Sequence, residues 1–209
     1  MQIFITGTDT NIGKTLVASW ICLHTGYGYF KPIQTGTLEI SDTQQVLLLA
    51  KDIIVYKEIY SYQQAVSPHL AAKLNNTIID LSIIKLPKVK NLIIEGAGGL
   101  LVPINKDQLM IDLIKQLSVP VILVARSTIG TINHTLLSLE ALCFRHINIL
   151  GVILVGEIDQ NNCDAIEFYS KTKVLAQIPI LNSINTESLL NIPLTYNLQQ
   201  ILKGINEYN

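Results

Sequence analysis

The residues best placed to do chemistry begin at Gly7-Thr8-Asp9-Thr10-Asn11-Ile12-Gly13-Lys14-Thr15, between an apolar run and an apolar-periodic segment. In a strand-to-helix turn of this kind, successive backbone N–H groups and the helix N-terminus converge on phosphate oxygens. Lys14 would place a point charge on the β- and γ-phosphates, and the Thr15 hydroxyl would complete a magnesium site. The spacing departs from the simple phosphate-loop pattern, because Gly7 lies six residues before Gly13 and Thr8 stands in the usual first-glycine place.

Lys31-Pro32-Ile33-Gln34-Thr35-Gly36 ends a second apolar run, where ligands of open α/β sheets bind, so Lys31 is expected at the same crevice. Asp42 follows in Ser41-Asp42-Thr43, which reads either as a helix cap or as a source of a metal-binding carboxylate. In Leu92-Ile93-Ile94-Glu95-Gly96-Ala97-Gly98-Gly99 an apolar strand is expected to end in a carboxylate followed by small residues. Burying that carboxylate is unfavourable without a cation, which magnesium held by Thr15, Asp42 and Glu95 would supply. Gly130-Thr131-Ile132-Asn133-His134 opens another helix, and its free N–H groups suit a carboxylate. His134 and His69 read as helix-face residues, while His24 and His146 belong to no pattern.

These residues need a scaffold. Short β-branched runs at 2–6, 29–33, 91–95, 119–125, 149–155 and 174–178 read as strands, and nearly all are apolar on both faces. Segments 13–24, 107–117, 131–145 and 161–171 have the length of crossover helices. Together they predict an α/β fold of the P-loop NTPase type, with a mostly parallel sheet and helices on both faces. Segment 52–90 is less regular: 53–62 fits a strand or an irregular excursion, and 70–74 and 80–86 look helical. No repeat or linker splits the chain, so one domain over 1–209 is expected.

The composition narrows the function. At 49 % apolar and 15 % charged residues, with net charge −1, the chain suits a globular fold without a basic footprint for nucleic acid. The apolar runs are strand-sized, no basic n-region precedes Gln2, and Cys22, Cys143 and Cys163 lack metal-type spacing. A cytoplasmic protein with free thiols and no membrane segment is expected.

Thr6 to Thr15, Lys31-Pro32 with Thr35-Gly36, Asp42, Ser67-Pro68-His69, Glu95 to Gly99, and Gly130 with Ile132-Asn133-His134 resemble the dethiobiotin synthetases in order and spacing. The resemblance implies a homodimer that joins carbon dioxide to 7,8-diaminononanoate, forming a cyclic urea at the expense of ATP. It assigns Lys31 as the active-site lysine beside Lys14, and Asn11, Ile12, Gly13, Lys14, Thr15 and Leu16 as the phosphate loop. Thr15, Asp42 and Glu95 match magnesium positions, and Glu95, Gly96, Ala97 and Gly98 a further ATP contact. Thr35 stands at a substrate-binding hydroxyl, and Thr131 and Asn133 would receive the substrate's carboxylate from the partner subunit. Pro179, Ile180 and Leu181 resemble a late nucleotide contact, with Glu187 a ribose or base ligand.

One departure concerns the base. Val155-Gly156 stand where many relatives place an Asn-Asp pair, so side-chain readout of adenine is not expected there. The alternative is a P-loop switch ATPase of the partitioning type. Such proteins carry an additional lysine early in the loop, and residues 8–12 contain none; 194–208 carries only Lys203 as a cation. Relatives attached to further domains need a longer chain.

Overall fold

The computed structural model describes residues 1–204; the expected domain and the terminal segment 194–208 extend into residues outside that range. A strand–helix alternation gives a seven-stranded sheet in which every pairing is parallel. Its strands are β1 (Gln2–Gly7), β2 (Gly28–Phe30), β4 (Val55–Tyr56), β6 (Leu92–Gly99), β7 (Val121–Ser127), β8 (Ile149–Gly156) and β9 (Val174–Ile178). They lie in the order β4-β2-β6-β1-β7-β8-β9. A second, two-stranded parallel sheet pairs β3 (Ile33–Thr35) with β5 (Tyr60–Tyr62).

Alternation within the apolar strands assigns the two faces. Ile3, Ile5, Ile93, Ile122, Val124 and Ile153 pack against α1 (Lys14–Thr25) and the C-terminal α7 (Thr186–Leu190) and α8 (Tyr196–Lys203). Phe4, Leu92 and Ile94 face α3 (Pro68–Leu74) and α4 (Met110–Leu117) on the other side. Leu123, Ala125, Val152 and Leu154 on that same side meet α5 (Thr131–Phe144) and α6 (Gln160–Ser170). Trp20 is fully buried and its indole N–H donates to Ile192 O at 2.7 Å, tying the C-terminal segment to α1.

Several boundaries differ from the sequence reading, each for a local reason. The strand expected over 29–33 breaks at Lys31-Pro32, because Pro32 has no N–H for a ladder. Its two halves join different sheets, and Pro32 O instead accepts from Ile59 and Tyr60. The strand expected to end at Glu95 runs on through Gly99, where Gly99 sits beside Gly7 of β1. Segment 53–62 resolves into β4 and β5, and 80–86 supplies only a 3-10 turn at Leu81–Ile83. The helix expected from 107 begins at Met110, since Asp107 and Gln108 are held in a turn by the Asn105 side chain.

The extension of β6 depends on missing side chains. Gly98 has φ +71°, and a Cβ there would lie 2.7 Å from Val102 Cγ2. Left-handed backbone strain and overpacking act together at this site. Gly98→Ala is therefore expected to lower stability by about 1–3 kcal/mol, read as a fall in the denaturant midpoint at unchanged slope. An unchanged midpoint would mean that the β6 end adapts without strain.

Candidate active site

Four segments bring charge to one cleft of about 760 Å³ at the carboxyl ends of the strands. The loop after β1 and the first turn of α1 supply Asn11 to Leu16, and β6 supplies Glu95, Ala97 and Gly98. The Lys31–Gly36 segment and the start of α2 (Asp42–Leu49) close the opposite side with Lys31, Gln34, Thr35 and Asp42.

The loop wraps tightly over the sheet. Gly13 has φ +97° and lies against Val155, where a Cβ would approach the valine side chain at 3.0 Å. Ile12 is buried and occupies the space above Gly7. Lys14 begins α1, is 7 % exposed, and donates to Asp9 O at 2.8 Å. Burial pushes its pKa down to about 8, with Lys31 adding to the fall and Glu95 and Asp42 opposing it.

The cap reading of Ser41-Asp42 holds, through Ser41 alone. Ser41 is the N-cap and forms a capping box with Gln44, accepting from Gln44 N at 3.2 Å while Ser41 N donates to Gln44 Oε1 at 2.8 Å. That leaves the Asp42 carboxylate free to face the cleft. Thr15 Oγ1 lies 2.8 Å from Asp42 Oδ1 and 2.9 Å from Glu95 Oε1. A hydroxyl has one proton, so it can serve only one of these oxygens at a time.

Lys31 joins the same two carboxylates. Its Nζ is 2.7 Å from Asp42 Oδ2, 2.9 Å from Glu95 Oε1 and 3.4 Å from Gly96 O. Burial alone would push the Lys31 pKa down, but Glu95 and Asp42 outweigh it and the pKa is raised. For Asp42, too, burial works upward and is outweighed, chiefly by Lys31, so its pKa is lowered. Glu95 is 1 % exposed and its Oε2 accepts from Tyr29 OH at 2.9 Å. Burial, reinforced by Glu95 and Asp42, pushes the Tyr29 phenol well above its ordinary range, keeping it an O–H donor.

This donor set fits magnesium. It offers hard oxygens from two carboxylates and one hydroxyl beside a phosphate-binding loop, leaving further positions to phosphate and water. Among the described residues no cluster of three His, Cys, Asp or Glu side chains competes with it.

Not every expected residue reaches the cleft. Gly96 contributes only its carbonyl, to Lys31. Thr131 is buried at the start of α5 and Asn133 is exposed on that helix, and neither lines the cleft of its own chain. Pro179, Ile180 and Leu181 also lie outside the lining, as does exposed Glu187 on α7; Ile184 is the residue of that region which borders the cleft. Sequence reasoning missed Tyr29, Gln34 and Arg126. Arg126, the penultimate residue of β7, places Nη2 3.6 Å from Asp9 Oδ2 and 3.5 Å from Thr10 O. Its charge directly after an apolar run was the available signal. Tyr29 reads as an ordinary strand aromatic and carries none.

A family model described as "AAA domain" matches residues 1–188. The ATP-dependent dethiobiotin synthetase BioD of Lawsonia intracellularis is 54% identical over 201 residues, covering 96% of this chain and 98% of that protein. The protein of the same name from Neorickettsia sennetsu is 38% identical over 98% of this chain and 96% of its own. Among solved structures, the MinC:MinD cell division protein complex of Aquifex aeolicus aligns with TM-score 0.56 at 13% identity. It covers 100% of this chain and 97% of that one, a likeness of fold alone.

The lowered pKa of Lys14 gives a pH dependence with a definite sign. Above about pH 8 the free site loses the Lys14 proton, whereas a bound polyphosphate favours the charged form. Binding then takes up a proton, so affinity falls as pH rises, by up to about tenfold per unit. Titration with a nucleoside triphosphate from about pH 7 to about pH 9 should be flat at first and then decline. A flat curve throughout would remove Lys14 from the phosphate contact.

Proposed function

The chain belongs to the ATP-dependent dethiobiotin synthetase family, and from that membership we propose the reaction it runs. An amine of 7,8-diaminononanoate captures carbon dioxide as a carbamate, and ATP phosphorylates the carbamate. The neighbouring amine then displaces phosphate, closing the cyclic urea of dethiobiotin and leaving ADP and phosphate. The enzyme is a ligase that forms carbon–nitrogen bonds in biotin synthesis.

The observation that carries this reading is the meeting of Lys14 and Lys31 with a buried carboxylate pair in one cleft. Phosphoryl transfer asks little covalent chemistry of a protein and much charge neutralisation. We assign Lys14 to the β- and γ-phosphates and Lys31 to the carbamate and the migrating phosphoryl group, each acting as a fixed positive charge. Thr15, Asp42 and Glu95 would hold magnesium, which supplies charge neutralisation and orientation of the phosphate oxygens when bound. The Thr35 hydroxyl is proposed as a substrate contact.

Thr131 and Asn133 lie away from the cleft of their own chain, which accords with a homodimer in which that helix start serves the partner's site. Free thiols at Cys22, Cys143 and Cys163 accord with a reducing compartment, and the cytoplasm is the proposed location. Among the described residues no helix is long and apolar enough to cross a membrane. We take 1–209 as one ligase domain.

The direct test is phosphate release and dethiobiotin formation with and without the diamine and bicarbonate, both of which should be required. Lys31→Ala is expected to lower turnover by at least ~10²-fold, on the scale of deleting one transition-state donor. Near-normal turnover in that variant would sink the assignment of Lys31. Glu95→Gln preserves shape and removes charge, so half-maximal activity should need more magnesium while diamine KM changes little. An unchanged magnesium titration would take Glu95 out of the metal site.

A further inference from the structure

Gln34 lies on β3, is 3 % exposed, and lines the cleft beside Lys31 and Asp42. Its amide orientation is set by its surroundings. Nε2 donates to Thr35 O at 2.7 Å and to Asp42 Oδ2 at 3.2 Å, and both of these atoms can only accept. Turning the amide over would set Oε1 against a carbonyl and a carboxylate, so the hydrogen-bond network fixes which end is which. Both N–H groups are then used.

Oε1 is left buried without a partner. Two other side-chain atoms among the described residues share that condition, Thr6 Oγ1 and Ser127 Oγ, and neither belongs to a residue lining the cleft. Buried acceptors are normally satisfied, and an exception inside a ligand cleft points to a ligand. The missing partner must donate. Lys31 does not supply it, since its Nζ contacts run to Asp42, Glu95 and Gly96 O.

A neutral acceptor in this position suits one kind of group well. A carboxylate would stabilise an amine as its ammonium form, which has no lone pair to attack with. A carboxamide oxygen can orient an amine through N–H without that penalty. We propose that Gln34 Oε1 accepts an N–H from the substrate amine that closes the ring. In that step the amine lone pair forms the N–C bond, and the C–O bond to phosphate breaks with its electron pair leaving on phosphate. One amine proton goes to the departing phosphate, and the other stays on nitrogen as the urea N–H held by Gln34. The proposal rests on the diamine-ligase reading given above.

Steady-state kinetics of wild type, Gln34→Ala and Gln34→Glu test it, varying diamine, ATP and magnesium in turn. Gln34→Ala should raise diamine KM by about tenfold or more and leave KM for ATP within about twofold. Gln34→Glu keeps an acceptor at the Oε1 position but sets its second oxygen against Thr35 O and Asp42 Oδ2, so it should lower kcat by about tenfold or more and raise the magnesium requirement, while diamine KM does not rise because the ammonium form still binds. It also keeps the test alive if the alanine variant fails to fold. A raised magnesium requirement in Gln34→Ala with unchanged diamine KM would show that Gln34 only braces Asp42, and would overturn the proposal. Parallel losses in both variants would overturn it too. Wild type that turns over without the diamine would overturn the ligase reading and this inference with it; diamine-dependent wild type with an indifferent Gln34→Ala would overturn this inference alone.

Discussion

The Lys31 ammonium between Asp42 and Glu95 is the interaction around which the cleft is arranged. An isolated carboxylate as deeply buried as Glu95 carries a desolvation penalty of several kcal/mol, even after relaxation. Lys31 at 2.9 Å, Thr15 at 2.9 Å and Tyr29 at 2.9 Å are the groups that offset it. Tyr29 lies on β2 and Lys31 directly after it, while Thr15 stands in the first turn of α1, so β1 with its loop and helix, β2 and β6 have to be in register before the carboxylate is tolerable. Removing one member would leave charge stranded, which is why the arrangement demands the whole sheet edge and not merely a local turn.

Two backbone devices make that meeting possible. Pro32 stops the second strand from continuing, so the chain turns after Lys31 and carries Gln34 and Thr35 into a separate small sheet that borders the cleft. On the facing side β6 does not stop at its carboxylate. It continues through small residues until Gly99 lies beside Gly7, and a Cβ on Gly99 would approach Thr8 O at 3.3 Å. The phosphate loop and the β6 end therefore touch backbone to backbone. Ser41 completes the set by taking the cap role and freeing Asp42.

The scaffold is shared more widely than the chemistry. The MinC:MinD cell division protein complex shares the fold at 13% identity, and a fold by itself does not fix a chemistry. What the cleft adds to the fold is a set of side-chain contacts, chiefly Lys31 with Asp42 and Glu95 and the amide of Gln34 beside them. Val155 adds a further local feature, since it packs on Gly13 and borders the cleft without offering a hydrogen bond.

Much of this was legible in the order of residues. The phosphate loop and the alternation of apolar strands with crossover helices are local patterns, because phosphate binding and parallel pairing impose fixed spacing along the chain, whereas the candidate metal ligands Thr15, Asp42 and Glu95 were legible as a set through the resemblance. Contacts between distant segments were not legible. Tyr29 meets Glu95 across 66 residues and Gln34 meets Asp42 across the loop that joins β3 to α2, so neither partner could be named from spacing. The boundaries of β6 and of the helix at Met110 were likewise decided by neighbours, Gly7 in one case and Asn105 in the other. Thr131, Asn133 and Pro179 to Leu181 show the same limit from the other side: their sequence context marks a helix start and a strand end, but only packing decides which cleft such a terminus faces. Residue types and spacing determined the chemistry available to this protein, and tertiary structure decided which of those groups share a low-dielectric cleft, because burial and charge compensation are properties of the assembled core.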